Sequence, residues 1–296
     1  TMTFRGDLRK TSDRAQRTGG GGGGTIAVGG GIGTLVLVGL FLLLGGNPSD
    51  IGQIIGNEQQ QSQPALPQGS QHPCETGDDA NKYVDCRVEL TGQSLDRVWS
   101  SILPQQAGIA YTKPGLTMFT NSTNTGCGRA SSSTGPFYCP SDKTAYFDVS
   151  FFEQLTSLGG ANAPLAQEYI VAHEFGHHIQ QLESTLGLSN YNDPGEDSNA
   201  EKIELQADCY AGIWAHPAQK GPDADLKPLT DQQVQDAVDT ARAVGDDNIQ
   251  QRSGGSVRPD TWTHGSSDQR QQAFLAGYRA GTMSACDTLE RGAYQG

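Results

Sequence analysis

The sequence predicts an α+β domain behind an N-terminal apolar segment, and three observations predict it. Residues 25–46 run for 22 positions without a charge. Two long stretches further on, around 165–180 and 200–214, carry apolar residues at helical spacing without an early proline. Between them and the first segment lie short runs, Leu116–Thr120, Phe137–Cys139 and Thr144–Phe147, which read as strands bounded by turn residues.

Residues 1–24 carry Arg5, Arg9, Lys10, Arg14 and Arg17 against Asp7 and Asp13, and end in six consecutive glycines that read as a hinge. The next 22 residues, Thr25 to Gly46, include the dense run from Leu35 to Leu44. As a helix they would span roughly 33 Å, enough for a hydrocarbon core of about 30 Å. With the basic flank on the N-terminal side, the positive-inside rule expects residues 1–24 in the cytoplasm and everything after Asn47 outside. A cleavable signal peptide would share the basic start, but no A-x-A-like site follows Leu44. The expectation is therefore a single-pass anchor in the cell membrane, contacting the lipid bilayer through residues 25–46. Residues 47–73, rich in Gln, Pro, Gly and Ser, read as a tether, and residues 74–296 as one globular domain.

The net charge of −13, from 33 acidic against 20 basic residues, excludes the usual profile of a nucleic-acid binder, so no nucleic-acid partner is expected. All six cysteines follow the apolar segment, and an even count in an oxidising compartment suggests three disulfides. Fifteen pairings exist. Closeness in sequence favours Cys74–Cys86 and Cys127–Cys139, which leaves Cys209 for Cys286.

The chemistry concentrates in His173-Glu174-Phe-Gly-His177. Residues four apart share a helical face, so His173 and His177 can point at one ion, while Glu174 is set to reach a water beside it. A third ligand appears at Glu204, within a second helical pattern, and completes a His₂Glu set with an open fourth position. Asp208, one turn further on the same face, is placed to accept the free N–H of a ligand histidine. Glu201 competes with Glu204 but reads better as an acidic residue near a helix start. His178 falls off the ligand face and reads as a structural hydrogen-bonder.

With these motifs in view, the chain resembles the bacterial neutral zinc metallopeptidases, membrane-anchored proteins of the zincin type. The resemblance rests on Gly126-Cys-Gly128, Gly135-Pro-Phe-Tyr-Cys-Pro140, Ala172-His-Glu-Phe-Gly-His-His-Ile-Gln180, Glu204-Leu-Gln-Ala-Asp-Cys-Tyr-Ala-Gly212 and Thr263-His-Gly-Ser-Ser-Asp-Gln-Arg270. It implies a zincin-like fold, a small mixed sheet packed on two active-site helices, with a Zn²⁺ cofactor and protein or peptide substrates. Glu204 and Asp208 match the E-x-x-x-D helix of gluzincins, where those positions give the third ligand and its supporting Asp.

Further elements follow from pattern. Ser94–Leu103 reads as a helix capped by Ser94, Thr230–Gln233 as a capping box for a helix ending near Gly245, and a last helix begins around Asp268. Tyr146–Phe147 or neighbouring residues form the expected ledge for an extended substrate strand. His264 has two readings: an oxyanion donor, as the later histidine of gluzincins is, or a loop histidine holding the last helix start, with Arg270 in a structural ion pair. The expected reaction is peptide hydrolysis with Glu174 as general base. The rival is a zinc-stabilised envelope binding or scaffold protein without turnover, separable by a Glu174→Gln variant.

Overall fold

The computed structural model describes residues 2–19, 72–131, 135–154, 159–161, 163–190, 192–245 and 263–295. In chain order its strands and helices are β1 (Gln16–Gly19), α1 (Gly77–Lys82), α2 (Val84–Ala107), β2 (Gly115–Thr120), β3 (Ser122–Thr125), β4 (Gly128–Ser131), β5 (Phe137–Cys139) and β6 (Thr144–Asp148). There follow α3 (Phe151–Gln154), α4 (Pro164–Leu182), α5 (Asn199–Ala218), α6 (Asp231–Ala243) and α7 (Ser267–Ala280).

The main sheet is mixed, in the order β1-β2-β6-β5: β1, β2 and β6 run parallel, and β5 turns back antiparallel to β6. Alternate residues of β2 and β6 enter different clusters because successive side chains point to opposite faces. Leu116, Met118, Ala145 and Phe147 join the large core with the helices, around Trp99, Tyr169, Tyr210 and Trp214. Phe119 and Tyr146 join a smaller cluster with Phe137, Cys139 and Ala130 of the β3–β4 hairpin. Cover on both faces explains why β6 is buried along nearly its whole length.

The three disulfides are Cys74–Cys86 and Cys127–Cys139, the two pairs that closeness in sequence favours, and Cys209–Cys286, the pair that they leave. Thr230 and Gln233 form the expected reciprocal cap on α6, and α7 starts at Ser267 behind a Ser266 cap. Ser94 corrects an expectation. It lies in the middle of the 24-residue α2, not at its start, and its hydroxyl donates to Asp225 and accepts from the Trp214 indole. An interior serine with buried partners does not need to cap. Tyr146 and Phe147 also sit differently. Both lie in β6 beside β2, and Tyr146 also pairs with Phe137 of β5, so at Tyr146 the backbone has no open edge for a substrate.

The largest difference concerns the N-terminus. Residues 2–19 are not a tail apart from the domain. β1 pairs with β2 in register from Gln16–Thr117 to Gly19–Thr120, and Phe4 is fully buried in the main core. Arg14 bonds Asp96 at 2.6 Å, and the Thr3 hydroxyl donates to the buried carboxylate of Glu168 on α4. The sequence pattern of this segment, basic and polar with scattered apolar residues, is that of a strap whose charges meet acidic partners inside the fold. Among the described residues no helix is long and apolar enough to cross a membrane. The expected anchor at 25–46 lies outside the described residues, as does the tether up to residue 71. The last two tether residues lie within the described part. Of these His72 stacks on Tyr83 and hydrogen-bonds Asp85, so it belongs to the fold.

Candidate metal centre

α4 and α5 bring the candidate ligands together because they approach closely at a glycine. A Cβ on Gly176 would come within 3.1 Å of the Ala207 backbone, so a residue without one leaves the helices this near. The next residue, His177, and Glu204 on the facing helix therefore converge. Nε2 of His173 lies 3.1 Å from Glu204 Oε2, and Nε2 of His177 lies 3.3 Å from the same oxygen. One donor atom from each of the three residues falls within 4.8 Å of the others, and all three side chains are buried.

The outer nitrogens of both histidines are held. His173 Nδ1 lies 2.8 Å from Asp208 Oδ1, and His177 Nδ1 lies 2.8 Å from Gln180 Oε1. Each acceptor orients its ring so that Nε2 faces the centre, the usual support for a ligating imidazole. Asp208 is itself enclosed. Arg270 donates to it twice, from Nε at 2.7 Å and Nη2 at 3.0 Å, and the Tyr169 hydroxyl donates as well. Burial pushes the Asp208 carboxyl up, but Arg270 and His173 outweigh it and hold the group down at about 2. Burial likewise works against ionised Glu204, and His177, His264 and His173 hold it well below the ordinary range. His173 is driven up despite burial, because Asp208, Glu204 and Glu174 all favour its charged form. Positive charge is thus favoured where the three donors meet. Two imidazole nitrogens and a carboxylate oxygen are a donor set that suits zinc.

Glu174 is buried on the next position of α4, and desolvation raises its pKa while His173 and His177 lower it. That balance suits a carboxylate that accepts and returns a proton. Ser198 caps α5 and Glu201 takes the third position of that helix, outside the three-residue donor group. His264 is buried, with Nδ1 2.9 Å from the Thr263 hydroxyl, and its field reaches Glu204. The following Gly265 has φ +92° and packs against Leu205 and Glu201, which sets the loop over the start of α5. His178 points away: Nε2 lies 2.6 Å from the Thr112 carbonyl and Nδ1 2.8 Å from the Tyr138 hydroxyl, and burial lowers it to about 4.

Residues that sequence reasoning passed over are Gln180 and Tyr169. Gln180 stands three residues after His177 and Tyr169 four before His173, spacings that share a helical face and could have been used. Arg270, read from the sequence as one side of a structural ion pair, has Asp208 as its partner. Gln180 also donates to Gln206, and Gln206 donates to the Cys286 carbonyl, so a hydrogen-bonded relay runs from His177 to the Cys209–Cys286 bridge.

The model of the family described as "Putative neutral zinc metallopeptidase" matches residues 5–289. The chain belongs to this family. The match begins within the N-terminal strap, so the family's pattern includes that segment as well as the metal centre. Among relatives of the chain, an uncharacterized protein of Mycobacterium tuberculosis H37Rv is 49% identical over 222 residues, covering 73% of this chain and 74% of its own. The uncharacterized protein YpfJ of Escherichia coli K12 is 37% identical over 217 residues, covering 72% of each. No solved structure matches the chain. Membership supports hydrolase chemistry with zinc and peptide substrates at the level of the family.

Proposed function

We propose that this protein is a zinc-dependent endopeptidase, with His173, His177 and Glu204 as metal ligands and Glu174 as general base. The observation that carries the proposal is the convergence of three donor atoms whose supporting groups already fix the imidazoles, with a buried carboxylate next to them. Zinc bound there supplies Lewis-acid chemistry, lowering the pKa of a water and polarising a carbonyl. Glu174 takes the proton from the attacking water and delivers it to the leaving amine. Asp208 and Gln180 keep the two rings from turning. His264, beside Glu204, donates to the oxygen on which negative charge develops. The substrate ledge belongs to β5 rather than to Tyr146–Phe147, since β5 ends the strand order next to β6. Three disulfides and no free cysteine support an oxidising, extracytoplasmic setting for the domain, and the uncharged segment 25–46 supports attachment to a membrane.

The test is a proteome-derived peptide library cleaved by the parent protein and by the Glu174→Gln variant, with zinc content measured on both. The expected result is equal zinc and loss of cleavage by at least ~10³-fold, the order expected for removing a catalytic base. Equal cleavage by both proteins refutes the assignment. Zinc without any parent cleavage favours the binding or scaffold reading.

A further inference from the structure

We infer that residues 2–19 lie on the same side of any membrane as the metal centre, so that the apolar segment 25–46 does not separate the N-terminus from the domain. This holds whether or not the site is a peptidase.

The segment is integrated along its whole length. Its backbone bonds the domain at both ends: Lys227 N–H donates to the Thr3 carbonyl and Arg5 N–H to the Asp225 carbonyl, while β1 completes the sheet. Between these points Lys10 N–H donates to the Glu75 carbonyl and Gly77 N–H to the Leu8 carbonyl. The strap therefore touches the part of the chain that follows the expected anchor and tether.

The two ends of the intervening stretch meet on one carboxylate. Arg17, in β1, reaches Asp85 Oδ2 at 2.7 Å, and the His72 N–H reaches the same oxygen at 3.1 Å. Arg17 also approaches Glu89 and the Cys74 sulfur, each at 3.3 Å. Chain leaving after Gly19 and chain returning at His72 thus share one narrow neck. A single crossing would part them by about 30 Å of hydrocarbon.

The charges give the same answer. The positive-inside expectation rests on five basic residues, yet four of them are engaged within the fold. Arg5 bonds Asp7 and the Pro222 carbonyl, Lys10 bonds Asp13 and the Pro73 carbonyl, Arg14 bonds Asp96, and Arg17 bonds Asp85 and Glu89. Withdrawing the strap across a membrane would take Arg14 and Arg17 from buried Asp96, Asp85 and Glu89, and the Thr3 hydroxyl from buried Glu168. The basic cluster is structural, and a topology rule that counts free charge does not apply to it.

The test uses the full chain in intact cells with a permeable outer envelope and an impermeant maleimide. Two single variants are compared, Met2→Cys, at a position 57% exposed on the strap, and Ser100→Cys, exposed on α2. Both are expected to label together, either both before lysis or both only after it. The first pattern agrees with an extracytoplasmic domain and the second does not, but each supports the inference. Labelling of one before lysis and the other only afterwards overturns it. A Thr18→Cys/Thr123→Cys pair, whose parent hydroxyls lie 2.9 Å apart, gives a second readout. Cross-linking in unbroken cells, detected by mass spectrometry, is expected, and its absence together with divided labelling is decisive against the inference.

Discussion

Replacing Asp208 with Asn tests how the metal centre is supported. The carboxylate is fully buried and receives Arg270 Nε and Nη2, the Tyr169 hydroxyl and His173 Nδ1. An amide has one acceptor oxygen and an NH₂ in place of the other. Whichever way it turns, one donor faces another donor, and the buried Arg270 guanidinium loses its countercharge. Breaking a buried ion pair from one side costs about 3–5 kcal/mol. At about 2–4 °C per kcal/mol for a domain of this size, the midpoint should fall by roughly 6–20 °C. With the imidazole held less firmly, zinc affinity should drop about 10–100-fold, or about 1.4–2.7 kcal/mol. Calorimetry of the metal-free and zinc-loaded protein, with a chelator competition for affinity, reads both quantities. The pH dependence supplies a sign. The folded Asp208 value of about 2 lies below the ordinary carboxylate value, so its contribution is present above that ordinary value and is lost as pH falls from about 4 towards 2. The Asp208→Asn variant has no such step, and its acid limb should be shallower. A midpoint within about 2 °C of the parent and zinc affinity within about twofold would refute this account of Asp208.

Other consequences are checked with similar means. Glu168 is fully buried, and desolvation raises it to about 8 against the opposing effects of Arg87 and Thr3. Its folded value lies above its ordinary one, so the parent should lose stability, by up to about 5 kcal/mol, as pH rises from about 4.5 through 8. Glu168→Gln should flatten that slope and be the more stable protein at about pH 8 in urea titrations. A parent slope already flat between about pH 5 and 8 would contradict the assignment. Gln180→Leu removes the acceptor of His177 Nδ1 while leaving every ligand in place, and should weaken zinc about 10-fold or more. Unchanged affinity would show that His177 needs no such partner.

Much of the fold was legible because it is written locally. Helical spacing in α4 and α5 and the cap at Thr230 are short-range patterns, and the turn between β5 and β6 is another. The disulfide pairs followed from proximity along the chain, which holds for Cys74–Cys86 and Cys127–Cys139, each 12 residues apart. Ser94 shows the limit of local signals. Its cap-like sequence context carried no information about Asp225 and Trp214, which reach it from far along the chain. The same limit applies to the substrate ledge. Which strand has an open edge depends on strand order, and strand order is a property of the whole sheet.

The sequence by itself determined the chemistry on offer: two histidines and a glutamate at helical spacings, a second carboxylate next to the first histidine, and the cysteines of three bridges. These are set by period and residue type, which the chain carries in every conformation. Tertiary structure decided which partners those groups meet. Arg270 reaches Asp208 across 62 residues, Gln206 reaches Cys286 across 80, and Arg17 reaches Asp85 across 68. The last contact makes part of the basic N-terminal segment a member of the domain. Charge along a chain is fixed by sequence, but whether that charge is free to answer a membrane depends on the buried carboxylates that folding brings to it.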